Sequence, residues 1–356
     1  MAAAKGVRKT IARGNGRGHG AGKVWGRMMG ALAAVLSLVA LLGTVARELP
    51  GEVAAVPYLP IVVSFTPWFA LIALVALVLS LVSKRWTTAL VMVLCLAAQA
   101  WWQYPFFSPS ATLPEGAAHA MSTASPNPID AYARVMTMNV YKGNADAARV
   151  VELVRDERVE VLALQETSAD FVARLERAGI KQYLPYSKVS SSDGVFGNGL
   201  WSTTPLGDPV DDEVHSSASF MPGATVRFND GKTPIRFVSV HTTAPVPGYW
   251  RLWRKSIDEL GMMRGRTDAR YVFMGDFNAT YDHAPFREFL GTRFTDAARQ
   301  SGHGFTFTWP ADKSPLPRFA GIDHIVTDQG IVAGRMEVRQ VAGSDHAALL
   351  ATIAIS

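Results

Sequence analysis

Three uncharged apolar stretches precede residue 105: Met28 to Ala46, Tyr58 to Val82, and Trp86 to Trp102, the last closing on the aromatic pair Trp101–Trp102. A helix that crosses the hydrocarbon layer needs about 20 apolar residues, within a range of roughly 17–25. All three stretches meet that length, the third at its lower limit. A helix packed into a soluble core would carry a polar face, and these show none. The first also exceeds the roughly 7–15 apolar residues of a cleaved signal peptide, and two more follow it. The sequence therefore predicts a basic tail over 1–27 and a three-span membrane anchor over 28–102.

Charge sets the orientation. Seven Lys/Arg and no acid precede the first span; the loop at 47–57 has Arg47 with Glu48 and Glu52, and Lys84–Arg85 forms the second turn. Basic loops stay cytoplasmic. The N-terminus is then inside and, after three crossings, everything beyond residue 102 is outside. The same asymmetry explains the net charge of +5: residues 1–129 hold ten Lys/Arg against three Glu, which leaves 25 basic and 27 acidic side chains for the rest. That larger part lacks the basic excess of a dedicated nucleic-acid binder. A single cysteine excludes a disulfide framework and any Cys-based metal cluster.

Residues 103–130 read as a linker. Five prolines among Ser, Ala and Gly interrupt any helix and leave no packed face. A flexible chain of this length spans about 30 Å root-mean-square. From 131 to 356 the texture changes to short β-rich runs separated by amphipathic stretches. Strands are expected at Arg134–Val140, Val161–Gln165, Gly199–Ser202, Ala224–Phe228, Ile235–His241, Arg270–Met274, Gly321–Thr327, Glu337–Val341 and Ala347–Ile355. Helices are expected at Ala145–Glu157, Ser168–Ala178 with Ser168 as N-cap, and Trp250–Arg264. The mixture implies an α+β or α/β sandwich of largely antiparallel sheets with helices outside.

Polar groups collect at the ends of these strands. Asn139 closes the first, Glu166 follows VLALQ, and His241 ends IRFVSV. Asp276 and Asn278 follow YVFMG, Asp323–His324 sit in GIDHIV, and Asp345–His346 precede the last apolar run. Any one of them would be an ordinary turn former or cap. Six strand ends sharing one edge of a sandwich would bring these groups to a single site.

The segments TMNVY (137–141), LQE (164–166), GNGLWS (197–202), SVHTTAP (239–245), GDFN (275–278), IDHI (322–325) and SDH (344–346) resemble the endonuclease/exonuclease/phosphatase superfamily. It includes DNase I-like nucleases, neutral sphingomyelinases and inositol-polyphosphate phosphatases. The resemblance covers nearly all of 134–356 and leaves the N-terminal spans outside. It implies a four-layered α/β sandwich, here preceded by three transmembrane helices, and phosphate-ester hydrolysis assisted by Mg²⁺ or Mn²⁺. Oxygen donors without a Cys or HExxH cluster suit such a hard cation independently. By motif matching, Glu166 is the main metal ligand, with Asn139 beside it and Asp345 contributing. Asp276 orients and deprotonates the attacking water, and Asn278 holds that water or a phosphoryl oxygen. His241 and His346 donate to oxygens gaining charge, and Asp323 pairs with His346. His324 alternates to the opposite face as a structural residue, while His215, His283 and His303 match no motif.

An outer-face domain without basic excess favours a lipid head-group phosphodiester or another envelope phosphate ester. The loop 244–253, with Tyr249, Trp250 and Trp253, either meets a lipid interface or turns its rings into the core. An extracytoplasmic nuclease is the enzymatic alternative, and it requires a basic groove. A non-catalytic membrane-anchored binding domain is the third reading.

Overall fold

The computed structural model describes residues 18–122, 126–127, 129–312 and 316–356; most of the basic tail lies outside these. The N-terminal part is a helical bundle of α1 (Gly18–Glu48), α2 (Leu59–Ser64), α3 (Thr66–Val82) and α4 (Trp86–Gln103). Small side chains allow close packing at its centre, where Ala40, Ala73 and Ala76 meet Met92 and Cys95. A Cβ at Gly43 would stand 2.3 Å from the Phe69 ring, so only glycine fits there. The outward faces are apolar, with Leu32, Leu38, Leu42, Leu74, Val78 and Leu94 exposed.

Among the described residues, two helices are long and apolar enough to cross a membrane, Val24–Glu48 and Trp86–Phe106. The second apolar stretch does not form the single long span expected of it. It breaks at Phe65 into α2 and the 17-residue α3. Pro67 lacks the N–H that would bond back into α2, and Thr66 Oγ1 donates instead to the Val63 carbonyl.

The larger part is a two-sheet sandwich. One sheet has the order β11-β12-β1-β2-β4-β3, from β1 (Tyr132–Asn139), β2 (Val161–Gln165), β3 (Tyr186–Ser190), β4 (Asn198–Ser202), β11 (Ile331–Arg339) and β12 (Ala348–Ile355). The other has the order β5-β6-β7-β8-β10-β9, from β5 (Gly207–Val210), β6 (Gly223–Phe228), β7 (Thr233–His241), β8 (Tyr271–Asp276), β9 (Thr295–Asp296) and β10 (Asp323–Thr327). Each sheet has one parallel pair near its middle, β1–β2 and β7–β8, and the remaining pairs are antiparallel. A parallel pair needs a crossover. Helix α6 (Ala147–Asp156) makes the first and α8 (Trp250–Gly261) the second.

Alternation places the layers. Val135, Ala163, Phe237, Val272 and Ile353 point between the sheets. The opposite parity of the first sheet, Met136, Met138 and Leu164, is covered by α6 and α7 (Ala169–Arg177). In the second sheet Val238, Val240 and Phe273 are covered by α8 and α9 (Ala284–Leu290). The result is the expected four layers, helix, sheet, sheet, helix. Asp146 caps α6 by accepting from Ala148 and Arg149 N–H, and Ser168 caps α7 through Phe171 N–H, as its position predicts.

The sequence reading missed β3, β5, β9, α9 and α10 (Ala297–Ser301), all short elements. It also began β11 six residues late, because a bulge between Gly334 and Glu337 interrupts the alternation.

The expected free linker is a docked segment. Phe106 enters the inter-sheet core, Arg299 Nη1 donates to Trp102 O at 2.9 Å, and Ser110 N donates to Gln300 O at 3.0 Å. A short helix, α5 (Glu115–Ser122), follows. Prolines break the long helix, but aromatic anchors between them find partners: Phe106 and Phe107 both pack on Phe305.

Glu160, at the start of β2, is 2% exposed, and both carboxyl oxygens lack a described hydrogen-bond partner. Burial, aided by nearby Asp130, raises its pKa to about 8. A carboxyl whose folded pKa is raised stabilises the fold fully below its unfolded value, and that contribution is lost as pH rises through about 8. Glu160→Gln should therefore be close to neutral at pH 5 and stabilising by about 2–5 kcal/mol at pH 9. Thermal unfolding of the full chain in detergent at both pH values checks this; equal shifts would contradict it.

Candidate active site

The catalytic candidates converge because they end strands on one edge of the sandwich. Parallel register sets His241 beside Asp276 on β7 and β8, and antiparallel register sets Asp276 opposite Asp323 on β10. In the other sheet Asn139 and Gln165 are partners, which delivers Glu166 one residue later. Glycine is required in GDFN for a local reason: a Cβ on Gly275 would lie 1.9 Å from Val240 O. Glu166 and Asn278 both hold left-handed backbone, with φ of 58° and 47°. Such strain is tolerated where the surroundings fix a functional turn.

Asn139 is the hub between the sheets. Its Nδ2 donates to Glu166 Oε1 at 3.0 Å and Asp276 Oδ2 at 3.1 Å, while its Oδ1 accepts from Tyr141 N. Glu166 Oε2 accepts from Lys142 N at 2.8 Å. Asp276 Oδ1 accepts from Asn278 N at 2.8 Å; Asn278 Nδ2 donates to Thr242 O at 2.9 Å and reaches Asp276 Oδ2 at 3.3 Å. His241 presents Nε2 to Asp276 at 3.7 Å and to Glu166 at 3.8 Å, its Nδ1 being 3.0 Å from Val195 O. His346 presents Nε2 to Asp276 at 3.6 Å and holds Asp323 Oδ2 through Nδ1 at 2.8 Å.

Seven of the eight expected residues thus form one connected, mostly buried cluster. Asp345 stands beside it: no described hydrogen bond or ion pair joins its carboxylate to Glu166 or Asn139, and its Oδ1 is buried without a partner. His324 lies on the opposite face, as alternation requires, bonded to Asp296 Oδ2 and Ala279 O. His283 is buried against Thr280 and the carbonyl of Pro60, away from the cluster.

Several supporting residues carried no role in the sequence reading. Ser344 donates to Asn139 O and receives His346 N–H, which ties the SDH turn to β1. Thr308 Oγ1 accepts from Asp323 N. Asn198 donates to Ser219, whose hydroxyl in turn donates to His241 O. Trp253 is fully buried, and its Nε1 donates to Asn278 O at 2.9 Å. The two tryptophans of loop 244–253 therefore belong to the interior, and Tyr249 is the exposed ring. The GNG and SDH motifs were the available signals for Asn198 and Ser344; the others act through backbone contacts that no side-chain pattern announces.

Electrostatics divides the roles. Burial raises the Asp276 pKa, opposed by His346. For His346, burial disfavours charge, but the Asp323 and Asp276 carboxylates outweigh it and raise the pKa to about 10. The two carboxylates favour the imidazolium form, and only the neutral ring could serve as a metal ligand. Asp276, Asp323 and His346 offer ligand atoms within 4.8 Å of one another, a group that could hold a metal ion. It differs from the expected ligand set of Asn139, Glu166 and Asp345. Asn139 turns its amide donors, not its oxygen, toward the carboxylates. The site nevertheless fits a hard divalent cation: its donors are carboxylate oxygens, and Asp323 Oδ1 and Asp345 Oδ1 are buried and unsatisfied.

A two-sheet sandwich that gathers buried Asp, Glu, Asn and His at one edge defines a DNase I-like architecture. The sequence matches the model of the Endonuclease/Exonuclease/phosphatase family over residues 136–346, and the chain belongs to that family. Among solved structures it is similar to an endonuclease/exonuclease/phosphatase from Beutenbergia cavernae, with 18% identity and TM-score 0.50 over 63% of this chain and 72% of that one. It is likewise similar to D. rerio TDP2 complexed with single strand DNA product, with 17% identity and TM-score 0.51 over 63% and 99%. No curated protein sequence matches the chain.

Proposed function

We propose that the chain is a membrane-anchored, divalent-metal-dependent phosphodiesterase acting outside the cytoplasm on a lipid head group or another envelope phosphate ester. The observation that carries the chemistry is the cluster of Asn139, Glu166, His241, Asp276, Asn278, Asp323 and His346 at one sandwich edge. Mg²⁺ or Mn²⁺ would be held by Glu166, with Asn139 beside it and Asp345 nearby, and when bound would supply charge neutralisation of the phosphoryl group. Asp276 takes a proton from the attacking water, and Asn278 keeps that carboxylate aimed. The water oxygen bonds to phosphorus as the ester P–O bond breaks. The departing oxygen takes a proton from His346 Nε2, and Asp276 returns its proton to that ring, releasing an alcohol and a phosphate monoester. His241 and His346 donate from Nε2 to the oxygens that gain charge, and Asp323 holds His346 in place. These donors favour the transition state over the ground state, which is what raises the rate.

Three observations support the membrane reading. The bundle's outer surface is apolar. Helices α1 and α4 both finish against the sandwich, through Arg47 and Gln103 on Asp282. At the far end Arg85, preceding α4, lies against Gly30 of α1, so α3 serves as the return crossing. The helices also join the sandwich on the site's own edge: Trp68 Nε1 donates to Phe319 O, and Tyr58 packs on Trp250 just beyond His241. An active site at the membrane end favours a lipid substrate. Likeness to a TDP2 bound to single strand DNA product motivates the nuclease reading as the alternative.

Full-length protein in detergent should hydrolyse an aryl phosphodiester with Mg²⁺ or Mn²⁺ and lose that activity in chelator. Phospholipid vesicles should be cleaved faster than DNA, RNA or soluble inositol phosphates. Preference for nucleic acid would transfer the assignment to the nuclease, and binding without turnover would leave only a binding domain.

A further inference from the structure

The face of the second sheet that carries Val238 and Val240 is roofed by α8 and by the 3-10 turn Met262–Gly265. That roof stops short of the strands' beginnings. Register places Thr225 opposite Arg236 and Arg227 opposite Pro234, so Thr225, Arg227 and Arg236 share this same face where it lies uncovered. The gap is a cleft of about 880 Å³ at the opposite end of β7 and β8 from His241 and Asp276. Strands of this length separate the two ends by about 20–25 Å.

Six basic side chains line the cleft against three acidic ones, in a domain whose overall balance is slightly acidic. Two of the six are already neutralised: Arg236 by buried Glu213, and Arg293 by Asp328. Asp268 is likewise taken by Arg266. Arg227, Lys232 and Arg264 make no ion pair with any described carboxylate, whereas Arg270 Nη1 donates to Ser356 O at 2.6 Å and Asp208 is the lining acid that no described ion pair takes. Three such cations around one concavity repel one another unless an anion joins them, and a concave, low-dielectric wall focuses their field. Thr225, Thr233, Thr267 and Gln329 add neutral polar side chains to the lining.

We propose that this cleft binds a small ligand carrying at least two closely spaced phosphate groups, at a site separate from the catalytic cluster. The volume suits a small molecule and not a polymer strand. Guanidinium forks match phosphate oxygens in pairs, and the Arg293–Asp328 and Arg236–Glu213 pairs fix the walls from behind.

The test is calorimetric titration of the full chain in detergent with sodium tripolyphosphate, in chelator so that no metal bridges the anion to the catalytic carboxylates. Saturable binding that weakens with added salt is expected. The double variant Arg264→Ala/Arg270→Ala should raise Kd at least tenfold. Lys232→Ala, on the exposed β6–β7 turn, should raise it severalfold and provides a second reading if the double variant folds poorly. Hydrolysis of an aryl phosphodiester should stay at the parent level in these variants, so failure of the cleft and failure of the catalytic reading are separable. Absence of saturable binding would overturn the proposal, as would unchanged Kd in the variants. So would binding of a short oligothymidylate with no binding of tripolyphosphate.

Discussion

Asn in place of Asp276 should lower kcat for an aryl phosphodiester by about 10²–10⁴-fold, the range that a positioned general base contributes. KM should move no more than a few fold, because the substitution removes a group that acts on the water and not on the bound ester. The structure makes the test sharp. Asp276 Oδ1 accepts from Asn278 N, a bond that an Asn side chain keeps through its own oxygen. Oδ2 faces the amides of Asn139 and Asn278 and, beyond them, the Nε2 atoms of His241 and His346. An NH₂ group at that place can neither take a proton nor attract the imidazolium. The variant loses a charge whose burial is costly, but its NH₂ also faces the Asn139 and Asn278 amide donors that Oδ2 now satisfies, so thermal stability should change by no more than about 1–3 kcal/mol and is measured beside activity. Activity within tenfold of the parent, in protein of normal stability, would remove Asp276 from the mechanism.

The central strands and their polar ends were legible because the physics there is local. VLALQ is apolar in both directions and becomes β2, buried on both faces, at its expected bounds. GDFN was legible because close approach of β7 demands glycine and the turn demands Asp and Asn, all within four residues. Short edge elements were not. β5 is a mostly exposed four-residue strand containing Gly207 and Pro209, a composition that reads as turn. The metal-ligand assignment was legible only as a list of residues. Which atom of Asn139 faces Glu166 depends on Tyr141 N capturing its oxygen, a backbone detail absent from any spacing. Least legible was the joint between bundle and sandwich. His283 matches no motif, yet it and Asp282 each hold a different N-terminal partner more than two hundred residues away.

That joint gives the second large effect. Arg47, 6% exposed, donates from Nε to Asp282 Oδ1 at 2.7 Å, and Gln103 Nε2 reaches both Asp282 oxygens at 3.3 Å. One carboxylate thus clamps the ends of α1 and α4 to the loop that follows the GDFN turn. Arg47 also stacks over the Trp102 ring, and its carbonyl accepts from Arg287. Asp282→Ala leaves the buried Arg47 guanidinium with only the exposed Glu48 carboxylate as ionic partner, and breaking a buried pair on one side costs up to about 3–5 kcal/mol. The full chain in detergent should therefore unfold at a clearly lower temperature, and protease should cut first near 103–114, where the docked segment peels away. Replacing both partners, Arg47→Met with Asp282→Leu, should recover most of the loss, because the stranded charge is gone and apolar volume is kept. Equal damage from the single and double variants would mean that shape at this joint, and not the ion pair, holds the two parts together.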